Sequence, residues 1–150
     1  LLPAGVIVFM MDESDVQRIM ADERSMIGSD GLPHDAFPHP RLWGTFPRVL
    51  GHYARDLGLF SLETAVAKMT GRCAEVFGMV DRGVIREGAF ADLVLFDPAT
   101  VRDTADFENP TTPAEGIIET WVNGRSAYLA GAGATAERAG RVVTRGRSGI

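Results

Sequence analysis

The chain predicts an α/β protein written in two styles, a βα-type half over residues 1–80 and a β-rich half over residues 81–150. Three features carry that expectation. VIVFMM at 6–11 is a continuous apolar run, which suits a strand covered on both faces, as in a parallel sheet. Ser61 opens a capped amphipathic pattern, SLETAVAKMT at 61–70. IIETWV (117–122) meets SAYL (126–129) across Asn123-Gly124, a strong signal for a type I′ hairpin.

Taken in order, the first strand spans 6–11 and Ser14 caps a short helix over Asp15 to Ala21. Ser25 to Ile27 makes a short strand that leads into Gly28, Ser29, Asp30 and Gly31. Residues 32–48 carry Pro33, Pro38, Pro40 and Pro47, which argue against any regular element there. Phe37, Leu42, Trp43 and Phe46 argue against disorder, so an ordered loop that carries function is expected. Val49 to Asp56 makes a short helix. The helix from Ser61 sets Leu62, Val66 and Met69 on one side, and a second helical stretch runs from Arg72 to Phe77 and ends at Gly78. A strand covers 91–97, followed by the hairpin. GAGA at 131–134 is linker-like, with a strand around 141–143 at most and then a frayed tail.

Composition narrows the functional classes. At 150 residues and 45% hydrophobic content, the chain suits one modest globular domain or two incomplete pieces of something larger. Fifteen Lys and Arg against 20 Asp and Glu give a net charge of −5, a poor match to nucleic acid or an anionic membrane surface. No apolar run approaches the ~18–20 residues that span a bilayer, so no membrane role is expected. Cys73 is the one cysteine, which excludes an internal disulfide and fits a reducing, cytoplasmic location. The first eleven residues lack the basic flank of a signal peptide. A chain that begins with Leu1 raises the expectation of a portion of a longer protein.

Few residues nominate chemistry. His34, His39 and His52 show no H-x-H or H-E-x-x-H spacing and no partner cysteine, so they define no zinc set. Cys73 has the neighbours of a small buried residue, not those of a nucleophile. Asp30 and its loop stand out, because a short strand ending in small residues and one carboxylate is how an α/β barrel presents a catalytic group at its rim. An ordinary Asp-Gly turn accounts for the same tetrapeptide.

MIGSDGLP (26–33) followed by PHPRLWGTFPRVLGHY (38–53) closely resembles the N-acyl-D-amino-acid deacylases, the D-aminoacylase branch of the amidohydrolase superfamily. The likeness continues through FMMDE (9–13), LETAVAKMT (62–70), GAFADLVLFDPATV (88–101) and WVNGR (121–125), to about residue 143. The 26–53 stretch is specific to the branch, whereas ADLVLFDP and VNGR are shared by many amidohydrolases.

This resemblance implies the C-terminal part of a metal-dependent (β/α)8 amidohydrolase barrel, followed by part of a small β-sandwich domain. Residues 1–80 would then be the last βα units with the catalytic loop, and 81–150 the small domain and tail. In the family the aspartate matching Asp30 touches the zinc centre, takes a proton from the metal-bound water and passes it to the leaving amine. The residue matching Arg41 binds the α-carboxylate of an N-acyl-D-amino acid, for which a guanidinium fork is well shaped. The family's H-x-H, its ligating cysteine and its two further histidines are absent from these residues. They would belong to a barrel segment upstream of Leu1, the chain's expected partner. Alone, the 150 residues are therefore expected to be inactive and to bind Zn2+ weakly.

Two other readings stay open at this point. One is an amidohydrolase acting on cyclic amides, of the dihydroorotase or hydantoinase kind, against which the PHPRLW loop speaks. The other is a non-catalytic scaffold domain descended from the enzyme.

Overall fold

The structure is a computed structural model and describes residues 7–33 and 37–146. Within them the order is α1 (Glu13–Ala21), α2 (Arg41–Arg48), a π-helical segment (Val49–Asp56), α3 (Leu62–Met69) and α4 (Gly71–Phe77). Four strands follow, β1 (Leu93–Phe96), β2 (Ile117–Val122), β3 (Arg125–Leu129) and β4 (Gly133–Ala134), in the spatial order β1-β2-β3-β4 with every pairing antiparallel. No helix among the described residues is long and apolar enough to cross a membrane.

The apolar run at 7–11 is exposed and carries no strand pairing, contrary to expectation, and Val6 lies outside the described residues. A strand exists only through its neighbours, and none of the described strands lies beside this run. Residues 25–30 are likewise extended without a ladder. There the Ile27 N–H donates to the Lys68 carbonyl at 3.1 Å, a contact with a helix end in place of a strand.

Asp12, not Ser14, caps α1. Its carboxylate accepts the Ser14 N–H at 2.8 Å and the Ser14 hydroxyl at 2.5 Å, and these bonds hold the Asp12 carboxyl below its ordinary range. A charged cap answers both the orphan amides and the positive end of the helix dipole, so the helix starts earlier than a serine cap predicts.

The proline-rich stretch is not wholly irregular, because α2 runs through Pro47. Pro40 sits at the N-cap, where the absent N–H costs nothing. Pro47 falls in the last turn, where its ring displaces the carbonyl four residues back. The π-helical segment begins two residues later, at Val49.

Ser61 caps α3 as expected, accepting the Thr64 N–H at 3.2 Å, and Gly78 ends α4 in the left-handed region at φ 67°. The face expected to be apolar meets the core at two of its three residues. Ala65 and Lys68 are buried and Leu62 and Met69 pack against the core, whereas Val66 is exposed. Lys68 is 0% exposed, and its ammonium donates to Asp22 O at 2.5 Å, Ser25 O at 3.3 Å and Ser25 Oγ at 2.8 Å. Burial lowers its pKa, and the Arg72 charge does so further, against Asp22 and Glu23. Lys68 thus ties the turn after α1 to α3 and sets the start of the 25–30 segment. Lys68→Met keeps the stem but orphans these acceptors, so it is expected to cost ~1–3 kcal/mol. The check is a lower denaturant midpoint with an unchanged slope.

The central core joins the two halves. Val49, Leu50, Tyr53 and Ala54 of the π-helical segment and Ala65 of α3 pack with Val101, and Phe96 and Ile117 of the sheet close over them. Gly51 makes this approach possible, because a Cβ there would collide with the Val101 carbonyl oxygen. The hairpin forms as predicted, with Asn123 at φ 50° and Gly124 at φ 78°, the backbone of a type I′ turn. Arg82 supports it from below. Its side chain pairs with Asp92, donates to Asn123 Oδ1 at 2.8 Å and lies 4.2 Å over the Phe90 ring. The GAGA stretch departs from a linker, since Gly133 and Ala134 form β4 against β3. Residues 141–143 form no strand, and residues 147–150 lie outside the described part.

Candidate active site

Asp30 closes the extended segment that begins at Ser25, and its backbone takes φ 48° in the left-handed region, where aspartate and asparagine are better tolerated than most residues. The turn beside it is fastened by Ser29, whose Oγ accepts the Gly31 N–H at 3.2 Å. Gly31 then passes close to α2: a Cβ on it would stand 2.7 Å from Leu42 Cδ1. The same Cβ would stand 3.0 Å from Leu42 Cα, so a side chain at position 31 would crowd the first turn of the helix.

Arg41 is the first residue of α2, and that close approach brings the two sequence-predicted residues together. Arg41 Nη2 lies 2.8 Å from Asp30 Oδ2, with the side chains 38% and 78% exposed respectively. Among the described residues Arg41 Nε is buried without a hydrogen-bond partner, so the guanidinium retains unused donor capacity. The Arg41 backbone N–H donates to His39 Nδ1 at 3.0 Å, which holds the start of the helix in place. Burial lowers the His39 pKa, the Arg41 charge adds to this, and Asp30 opposes it.

The histidines do not gather around Asp30 as a ligand set. His39 serves the Arg41 backbone, His52 lies edge-on to Tyr53 with ring centroids 5.0 Å apart, and His34 lies outside the described residues. Cys73 stands in α4 with Sγ 3.3 Å from Lys68 O. The described residues contain no group of three or more His, Cys, Asp or Glu able to hold a metal. A largely exposed carboxylate with one oxygen committed to Arg41 suits a single ligand of a larger set, since catalytic zinc takes three protein ligands.

Sequence reasoning missed the segment that covers this helix. Residues 101–107 run from the sheet half back along α2, with Asp103 Oδ2 3.1 Å from Arg48 Nη1 and the Phe107 ring 5.2 Å from that of His39. A phenylalanine set among Asp106, Glu108 and Asn109 was the one sign of it.

The profile of the amidohydrolase family matches residues 12–128. A D-aminoacylase of Alcaligenes xylosoxydans xylosoxydans is 66% identical over 145 residues, which is 97% of this chain and 30% of that protein. A solved D-aminoacylase, studied for the role of its binuclear metal centre, superposes with a TM-score of 0.89 at 63% identity, covering 91% of this chain and 29% of that one. An N-acyl-D-glutamate deacylase from Bordetella bronchiseptica, solved with zinc and a phosphonate mimic of the tetrahedral intermediate, gives 0.77 at 53% identity over 79% and 25%. The chain thus spans about 30% of the length of the curated relative. With most of its residues matched by the profile and two-thirds of them identical to such a relative, the chain belongs to the amidohydrolase family, in the branch that holds the D-aminoacylases.

Proposed function

We propose that these residues are the C-terminal portion of a zinc-dependent N-acyl-D-amino-acid deacylase, in which Asp30 moves the proton and Arg41 holds the substrate's α-carboxylate. Residues 1–80 are then the last βα units of a (β/α)8 barrel, and 81–150 the C-terminal share of a small β-sandwich domain. The observation that carries the reading is the 2.8 Å contact between Arg41 and Asp30.

In an N-acyl amino acid the α-carboxylate and the amide nitrogen are separated by one carbon. A carboxylate seated on Arg41 therefore brings that nitrogen near a second carboxylate already touching the same guanidinium. Asp30 is thus placed to accept a proton from the attacking water and to deliver it to the departing amine, one group serving as base and then as acid. The guanidinium orients the substrate through charge-assisted hydrogen bonds and lies between the two carboxylates, which lessens their repulsion.

Asp30 is one metal ligand in this reading, and the others lie on the barrel segment that these 150 residues do not include. A bound zinc would supply Lewis-acid polarisation of the amide carbonyl and acidify a water molecule. The D-configuration is supported by the relatives, named as D-aminoacylase and N-acyl-D-glutamate deacylase.

The test is a substrate panel on the full-length, metal-loaded enzyme: N-acetyl-D-amino acids, their L-enantiomers and five-membered hydantoins. Release of free D-amino acid should exceed L-amino acid release and hydantoin opening by ~10²-fold or more in kcat/KM. Faster opening of the cyclic amides would replace this reading with a hydantoinase-like one.

A further inference from the structure

We infer that Phe107 is a positioning residue for Arg41, acting through the His39 ring. The inference rests on the reading of Arg41 as the carboxylate clamp and extends it to the β-rich half of the chain.

Residues 101–107 form a strap laid antiparallel along the 39–51 region. Val101 lies against Gly51, and Asp103 reaches both Gly44 and Arg48. At the far end the Phe107 ring meets the His39 ring edge-on, with centroids 5.2 Å apart at 78°. At Gly44 a Cβ would stand 3.0 Å from Asp103 Cβ, so the helix surface there is pared down to admit the strap.

The strap is held in shape by its own bonds. Arg102 and Glu115 exchange backbone hydrogen bonds at 3.2 and 3.1 Å. Thr104 Oγ1 donates to Pro113 O at 2.6 Å. Asp106 Oδ1 accepts the Glu108 and Asn109 amides at 2.9 and 2.6 Å, which fixes the turn that presents Phe107. The Phe9 ring also meets the Phe107 ring edge-on, with centroids 5.2 Å apart.

His39 is the link between strap and clamp. Its Nδ1 accepts the Arg41 N–H only while the imidazole keeps its present plane, and the edge contact with Phe107 restrains that plane. Arg41 reaches Asp30 through a long, flexible stem, so the aim of its guanidinium depends on a backbone that does not move. Loss of the Phe107 ring leaves His39 free to turn and the first turn of α2 free to fray.

The experiment compares wild type, Phe107→Ala, Phe107→Leu and Phe107→Tyr in the full-length, metal-loaded enzyme. Each is assayed on an N-acyl-D-amino acid and on its α-carboxamide, with thermal melting alongside. Phe107→Ala should raise KM for the free acid ~3- to ~10-fold with kcat within ~2-fold, leaving the carboxamide unchanged. Phe107→Tyr keeps the ring and should restore wild-type KM. Phe107→Leu keeps the bulk without the ring and should resemble Phe107→Ala, which secures the test if the alanine variant folds poorly. Equal effects on both substrates, an unchanged KM for the acid, or failure of tyrosine to restore it would overturn the inference. Arg41→Ala, run in parallel, separates the two levels. If it still discriminates acid from carboxamide, the reading of Arg41 itself fails. If it loses discrimination while Phe107→Ala keeps it, only the role of Phe107 falls.

Discussion

Asp30→Asn in the full-length enzyme is expected to lower kcat by at least ~10²-fold while leaving the fold intact, as for a positioned group that both accepts and donates a proton. The structure makes this substitution a clean one. Asparagine is nearly isosteric and, like aspartate, tolerates the left-handed backbone that position 30 adopts at φ 48°. The ion pair with Arg41 is reduced to a contact between the guanidinium and a neutral amide oxygen, but the pair is largely exposed, and such pairs contribute ~0–1 kcal/mol. Melting temperature should therefore barely move while turnover collapses. Wild-type turnover in Asp30→Asn would reduce Asp30 to a turn residue that happens to hold Arg41.

The second large effect is expected at Arg41. Arg41→Ala should cost ~2–5 kcal/mol in kcat/KM for a free α-carboxylate, because a desolvated anion loses its charge-assisted partner. The control is the α-carboxamide of the same substrate, which should be poor for the wild-type enzyme and indifferent to the substitution. Equal losses on both would assign Arg41 to structure alone, and its contact with Asp30 would be the obvious candidate for that structure. Arg41→Lys should rescue little, since a point charge on a flexible stem does not offer the planar fork.

Much of the local structure was legible in the residues. The α3 cap at Ser61, the stop at Gly78 and the Asn123-Gly124 turn all follow from short-range backbone chemistry, and all three appear where the residue types place them. Asp30 and Arg41 were found through the motif at 26–53, and the structure sets them 2.8 Å apart. Where expectation failed, the deciding partner lay far along the chain. Lys68 occupies a core position because backbone acceptors at Asp22 and Ser25 meet it there, and no helical periodicity gives a lysine such a place. The prolines argued against any regular element at 32–48, yet their positions at a cap and in a final turn left α2 room to form.

Local grammar, then, was the sequence's own contribution: caps, turns and the residue types of the candidate chemistry, each set by interactions within a few positions. Register with distant neighbours was decided only in three dimensions. The apolar run at 7–11 and the short segment from Ser25 to Ile27 both suit strands but have no ladder partner among the described residues, and strand formation requires one. The strap from Val101 to Phe107 reaches the 39–51 region because Gly44 and Gly51 leave their side of the helix bare. Those contacts join residues some fifty to seventy positions apart, a separation over which sequence pattern carries no information and packing alone selects the pair.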